Sequence, residues 1–204
     1  MIVIIDYGLG NLGSIANMLN YLDLENLISS DPKEILMADK LILPGVGSFD
    51  EGMRNLRDRN LISTLHEAVV KQKTPLLGIC LGMQLLGKSS EEGLELGLGF
   101  IDFVNKKFNF EMQHEYKIPH MGWTNIHVNK LSPLAYNFND NLRFYFVHTY
   151  YALCKYENDI LFKSDYGFQF ASGVQNGNIY GVQFHPEKSR TFGMRLLQNF
   201  ATKC

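Results

Sequence analysis

The sequence predicts a single α/β domain, with a largely parallel central sheet flanked by helices and extended by antiparallel strands. Three observations lead there. Through the first ninety or so residues, short apolar runs alternate with segments of helical period, the pattern of a parallel sheet with helices on its faces. Beyond about residue 100, Phe, Tyr, Val and Asn dominate and short strand-like segments follow one another. No linker, repeat or low-complexity stretch interrupts the 204 residues, so one domain over 1–204 is the simplest organisation.

The elements follow in order. Ile2-Val3-Ile4-Ile5 is a short β-branched run, as in a buried strand. A glycine-rich turn over 8–13 precedes Leu12, Ile15, Ala16, Leu19 and Leu22 at helical spacing. Asp31-Pro32 is a cap followed by a first-turn proline. Leu41-Ile42-Leu43 is a second buried strand, ending at Pro44-Gly45-Val46-Gly47. Ser48 and Glu51 form a capping box, and a further helical stretch runs from about Leu61 to Lys71. Leu76-Leu77-Gly78-Ile79 is a third buried strand. Asn176-Gly177 signals a hairpin between strands at 168–175 and 179–184. Ser189 is placed to cap a last helix carrying Phe192, Leu196, Leu197 and Phe200.

Composition narrows the function classes. A chain this long buries around 70% of its unfolded surface without staples. Its 46% hydrophobic and 20% charged residues are ordinary for a soluble globular protein. A net charge of −2 without a basic run gives no footprint for nucleic acid or an anionic membrane. Three cysteines without CxxC spacing argue against a disulfide framework or a zinc site and for a reducing compartment. The N-terminal apolar run is too short for a signal sequence, and no stretch has transmembrane length. A cytoplasmic protein without metal or cofactor is expected.

Two motifs invite a nucleotide. Gly8-Leu9-Gly10-Asn11-Leu12-Gly13 matches GxGxxG after a strand, with Asp31 near the place of a ribose-binding acid. Asp6-Tyr7, however, sets a charge and a bulky ring beside the would-be pyrophosphate. Gly82 to Ser89 matches the P-loop pattern, but a P-loop must be a loop, whereas Met83, Leu85 and Leu86 prefer a buried helix. Lys88 is read as a helix-end cation instead.

Gly78-Ile79-Cys80-Leu81-Gly82 points elsewhere. A strand entering a Gly-x-Cys-x-Gly turn and then a helix has the form of a nucleophile elbow, with a helix N-terminus beneath the sulfur. Taken alone, Cys80 could equally be a small buried hydrophobe. His185-Pro186-Glu187, at the end of the 179–184 strand, breaks the tie. A thiol nucleophile needs a base that also protonates the leaving group, and the base needs an orienting acceptor. Strand ends of a parallel sheet converge on one crevice. The remaining histidines, at 66, 114, 120, 127 and 148, are read as structural. Pro44-Gly45-Val46-Gly47, at another strand end, supplies the third element. A tetrahedral intermediate needs two N–H donors, and Leu81 and Val46 are placed to offer them. Glycines on both sides of Val46 let this loop flip a peptide, so a resting loop that presents a carbonyl until a partner docks is expected. The competing non-enzymatic reading, a cofactor-binding or scaffold protein, requires an inert Cys80.

These three elements, in this order, resemble the class I glutamine amidotransferases. A longer set is similar, more narrowly, to the glutaminase subunits of imidazole glycerol phosphate synthases. It comprises Asp6 to Asn11, Pro44 to Phe49, Pro119 to Trp123, Phe146 to Tyr150 and His185 to Ser189. The resemblance covers essentially the whole chain. It implies hydrolysis of glutamine by Cys80, His185 and Glu187, with Gly47, Gln84, Thr149 and Tyr150 holding the substrate largely through backbone groups. It also implies a heterodimer with a synthase subunit, a (β/α)₈ barrel. That partner receives the ammonia and makes imidazole glycerol phosphate and an aminoimidazole ribotide in histidine biosynthesis. Asn11, Met121, Trp123, Tyr145 and Lys188 would face that partner or line the ammonia route. Ser189-Arg190-Thr191-Phe192-Gly193-Met194 looks more like a paralogous branch found beside surface-polysaccharide genes, where the ammonia would aminate a nucleotide-linked sugar.

Overall fold

The computed structural model describes residues 1–110, 115–138 and 142–204. His114 therefore lies outside the described residues. The first half alternates strand and helix: β1 (Ile2–Ile5), α1 (Leu12–Tyr21), β2 (Asn26–Ser29), α2 (Pro32–Leu36), β3 (Lys40–Leu43), α3 (Phe49–Asp58), α4 (Leu61–Leu65), β4 (Leu76–Ile79) and α5 (Leu81–Leu85). The second half is mostly strands: β5 (Ser89–Ser90), β6 (Phe103–Lys107), β7 (His120–Asn125), β8 (His127–Val128), β9 (Arg143–His148), β10 (Tyr150–Cys154), β11 (Ile160–Tyr166), β12 (Phe168–Asn176) and β13 (Ile179–Val182). Helix α6 (Arg190–Lys203) closes the described chain.

The main sheet runs β2-β1-β3-β4-β13-β12-β10-β6-β5. Its pairs from β2 to β13 are parallel, and β12, β10 and β6 extend it antiparallel. This is the predicted architecture. Strands β7 and β9 leave that sheet and form a separate two-stranded antiparallel ribbon, which nothing in the sequence had set apart.

Alternation along the parallel strands fills both faces. Val3, Ile5, Leu41 and Leu43 pack in one core with Leu56, Leu65 and Leu85. Ile2, Ile4, Ile42 and Ile79 pack in the other with Ile15, Leu196, Phe200 and the ribbon residues Phe144 and Phe146. At about 1.5–3 kcal/mol for each fully buried large apolar side chain, these two layers hold the sheet without a disulfide; all three cysteines are free.

Local expectations fare unevenly. The Asp31 carboxylate accepts from the Lys33 N–H, capping α2 behind its first-turn proline. Ser48 Oγ accepts from the Glu51 N–H at 3.4 Å, one half of the capping box. Asn176 pairs with Ile179 across a turn in which Gly177 has φ 56°. The stretch expected as a helix through Lys71 changes after Leu65 to π-helical turns over His66–Lys71. Ser189 precedes α6, but its hydroxyl does not cap it. That hydroxyl donates to the His185 carbonyl at 2.6 Å and accepts from the Tyr145 N–H at 3.0 Å. Among the described residues, no helix is long and apolar enough to cross a membrane.

Candidate active site

Neighbouring parallel strands bring Cys80 and His185 together. Ile79 pairs with Val182, and the Cys80 N–H donates to the Val182 carbonyl at 2.8 Å. Both functional side chains therefore stand just past the ends of β4 and β13. Cys80 adopts φ 54°, ψ −110°, a conformation rare outside glycine that turns the chain from strand to helix. The flanking glycines are required by close approach. A Cβ on Gly82 would lie 1.8 Å from the Leu43 carbonyl oxygen, and one on Gly78 would lie 2.7 Å from the Gly82 oxygen. Met83, Leu85 and Leu86 are fully buried beneath the turn, as a helix and not a phosphate loop demands. Lys88 pairs with Asp102 at 2.6 Å.

His185 Nδ1 lies 2.7 Å from Glu187 Oε1, with both side chains almost wholly buried. Since a carboxylate only accepts, Nδ1 carries the proton and Nε2 is left for chemistry. Nε2 has no hydrogen-bond partner of regular geometry. Burial by itself would lower the His185 pKa. Interaction with the Cys80 sulfur and with Glu187 overrides burial and raises it to about 10. The amide of Gln183 donates to Cys80 Sγ at 3.8 Å, a residue that the sequence reading passed over.

A cleft of about 300 Å³ opens above the sulfur. Its walls include Val46, Gly47, Cys80, Leu81, Gln84, Thr149, Tyr150 and His185, so the expected nucleophile, base, oxyanion donors and substrate-holding residues share one space. Leu81, the first residue of α5, carries an N–H without an intrahelical partner. Gly47 has φ 114°, and the Tyr7 hydroxyl pins the turn before it by donating to the Pro44 carbonyl at 2.7 Å. Tyr7, read from sequence as a steric bar to a dinucleotide, is thus a buried brace for the loop. Gln84 Nε2 donates to the Gln183 side-chain oxygen at 3.1 Å and to the Tyr150 carbonyl at 3.4 Å. Glu92, Pro119, Val147 and His148 also line the cleft. Pro119, Val147 and His148 lie in segments that carry the resemblance, but none takes a role from sequence, and His148 is read there as structural.

The residues expected to face a partner gather on the ribbon. Met121 and Trp123 are exposed on one face of β7. Trp123 stands opposite Tyr145, with ring centroids 6.1 Å apart, and Lys188 Nζ lies 5.9 Å from the Tyr145 ring. Asn11 is exposed at the start of α1, which packs near the turn carrying Lys188. Tyr145 in turn bridges to His185, so this face abuts the site.

A family model described as glutamine amidotransferase class-I matches residues 3–204. A Methanococcus maripaludis protein named imidazole glycerol phosphate synthase subunit HisH 2 is 54% identical over 98% of each chain. The protein of that name from Pseudomonas aeruginosa is 46% identical, again over 98% of each. The HisH subunit of Leptospira interrogans is 44% identical over 99% of this chain and 100% of its own. Among solved structures, PurLQS of Thermotoga maritima superposes with a TM-score of 0.77 at 18% identity, over 98% of this chain and 96% of the other. A glutamine amidotransferase of the same organism gives 0.65 at 18% identity, over 98% and 81%. At such identities the likeness speaks for the fold.

Proposed function

Because this chain belongs to the class I glutamine amidotransferases, we propose that its cleft hydrolyses glutamine through Cys80, His185 and Glu187, as the glutaminase subunit of an imidazole glycerol phosphate synthase. The observation that carries the reading is the pairing of a thiol on a strained strand-to-helix turn with a buried imidazole whose other nitrogen is held by a carboxylate. Cys80 gives its thiol proton to His185 Nε2 as Sγ attacks the side-chain carbonyl carbon of glutamine, and the oxyanion takes donors from Leu81 and Val46. His185 protonates the departing nitrogen, which leaves as ammonia when the C–N bond breaks. It then takes a proton from water as the water attacks the thioester, releasing glutamate and restoring the thiol. Glu187 orients the imidazole throughout. Residues 1–204 act as one catalytic domain.

The partner reading rests on relatives named as synthase subunits and on the exposed Met121, Trp123 and Lys188 next to the site. Ammonia would pass from the cleft to a barrel-shaped synthase subunit docked there. Coexpression with candidate synthase subunits, followed by assay of the copurifying complex, tests both halves. Cys80→Ala should abolish glutamine-dependent product and leave ammonia-dependent product intact. Glutamine hydrolysis by Cys80→Ala at the parental rate would overturn the nucleophile. A complex that aminates a nucleotide-linked sugar would overturn the histidine-pathway acceptor alone.

A further inference from the structure

Behind the cleft lies a buried chain of hydrogen bonds that the triad does not use. His148 is 5% exposed and His120 is 1% exposed, and the two stand opposite each other in the β7–β9 ribbon. His148 Nδ1 is 2.7 Å from the Tyr150 carbonyl oxygen, and its Nε2 is 2.9 Å from His120 Nδ1. His120 Nε2 is 2.7 Å from Thr124 Oγ1.

One carbonyl fixes every proton in this chain. The Tyr150 oxygen can only accept, so His148 carries its proton on Nδ1. His148 Nε2 must then accept from His120 Nδ1–H, and His120 Nε2 must accept from the Thr124 hydroxyl. Burial pushes the pKa of His148 down to about 3 and that of His120 down to about 4, which keeps both rings neutral and this single arrangement intact. The same Tyr150 oxygen also accepts from Gln84 Nε2. Gln84 donates to Gln183, and Gln183 donates to the Cys80 sulfur. Two runs of donors thus meet at the Tyr150 carbonyl, one from Thr124, on the strand that exposes Met121 and Trp123, the other from Gln84, which also reaches the Cys80 sulfur through Gln183.

We propose that His148, locked as its Nδ1–H tautomer by His120 and Thr124, is a positioning residue that holds the Thr149–Tyr150 backbone in place for the glutamine side chain. The proposal rests on the reading of this cleft as a glutamine site. β9 ends at His148 and β10 begins at Tyr150. Tyr150 pairs with Lys107 and the Thr149 carbonyl accepts from the Phe108 N–H at 3.1 Å, while the Tyr150 carbonyl beside the cleft takes hydrogen bonds from the side chains of His148 and Gln84. His148 is the side chain that spans that break.

The test uses the full chain without a partner. The rate of Cys80 alkylation is followed by peptide mass with two reagents: a diazoketone analogue of glutamine, which must fill the cleft, and iodoacetamide, which needs only the thiol. His148→Phe keeps a ring among Phe108, Phe146 and Phe170 and removes both nitrogens. It should slow the analogue on the order of 10- to 100-fold, as expected for stripping a buried hydrogen bond, through a raised half-saturation concentration, with iodoacetamide unaffected. His148→Asn places an amide nitrogen near the δ1 position and should recover part of the loss. Thr124→Val, a milder change at the far end, should slow the analogue severalfold. Long-range proton–nitrogen NMR of the wild type should show a protonated δ1 and a bare ε2 nitrogen for His148. Equal slowing of both reagents in His148→Phe, no slowing of either, or a protonated ε2 nitrogen would overturn the positioning role. A wild-type Cys80 that takes iodoacetamide but never the analogue, alone or with a synthase subunit docked, would instead break the glutamine reading, while the nitrogen spectrum still decides the tautomer.

Discussion

His185, beyond the end of β13 in the main sheet, and His148, at the end of β9 in the ribbon, line the same cleft and are both buried. Their surroundings drive them apart. Burial would lower both, yet His185 is raised to about 10 because the Cys80 sulfur and the Glu187 carboxylate favour its cation. Burial takes His148 down to about 3, and its ionisable neighbours are the imidazoles His120 and His185, which also disfavour its cation. Both rings are buried, and the charge of their partners is what differs. In this cleft an imidazole is pushed toward its cation when a thiol and a carboxylate share its site, and stays neutral when its ionisable neighbours are other imidazoles. On the proposed reading, the parallel half of the molecule supplies the reacting groups and the ribbon a shaped wall.

The strongest way to break this contrast is to remove His185. His185→Ala should lower glutaminase turnover by roughly 10²–10⁴-fold, the usual worth of general acid–base catalysis, read as steady-state glutamate release by the partner-bound protein. Glu187→Gln should cost less, because the imidazole stays and only its orientation and charge support weaken. If Glu187→Gln is harmless while another carboxylate proves essential, His185 has been given the wrong partner.

Acid titration sharpens the contrast from the other side. The folded-state pKa values of His148 and His120 lie below the ordinary 6.5, so the unfolded chain binds more protons than the folded one between those values. Their contribution is complete above about pH 6.5 and drains away as the pH falls toward 4 and then 3, a loss on the order of a few kcal/mol. His185 behaves oppositely. Its raised pKa gives stability that is complete below about pH 6.5 and lost as the pH climbs toward 10. Denaturation midpoints measured from pH 4 to 7 should fall steeply on the acid side, and the slope should flatten in His148→Phe. An identical slope in the variant would mean that the ribbon histidines are not neutral struts. The smallest effect is expected at Lys88, whose ammonium pairs with the carboxylate of Asp102. Lys88→Ala should leave glutaminase turnover within about twofold of the parent, as an exposed ion pair remote from the sulfur implies.

What could be read from sequence follows the same division. Cys80, His185 and Glu187 were legible because each sits in a short segment whose local chemistry is unusual: glycines two residues to either side of a cysteine, and a histidine and glutamate around a proline. Gly82 shows why such signals are strong, since no other residue fits against the Leu43 carbonyl. His120 and His148 were not legible. They are 28 residues apart in sequence and meet only through strand pairing, so each looked like an isolated structural histidine. Gln183 was hidden for the opposite reason, inside a strand whose apolar neighbours dominate the pattern. Ser189 misled because its position fits an N-cap, whereas its hydroxyl is taken by the His185 carbonyl and the Tyr145 N–H, contacts that no local rule anticipates.

The turn at Cys80 carries a longer-range consequence. At φ 54° and ψ −110° the backbone suits glycine better than any L-residue, and such strain costs on the order of 1–3 kcal/mol. The position proposed as the nucleophile is therefore one where folding alone prefers a different amino acid. A library of variants screened only for heat resistance would drift from cysteine toward glycine there, discarding the proposed nucleophile and keeping everything built around it.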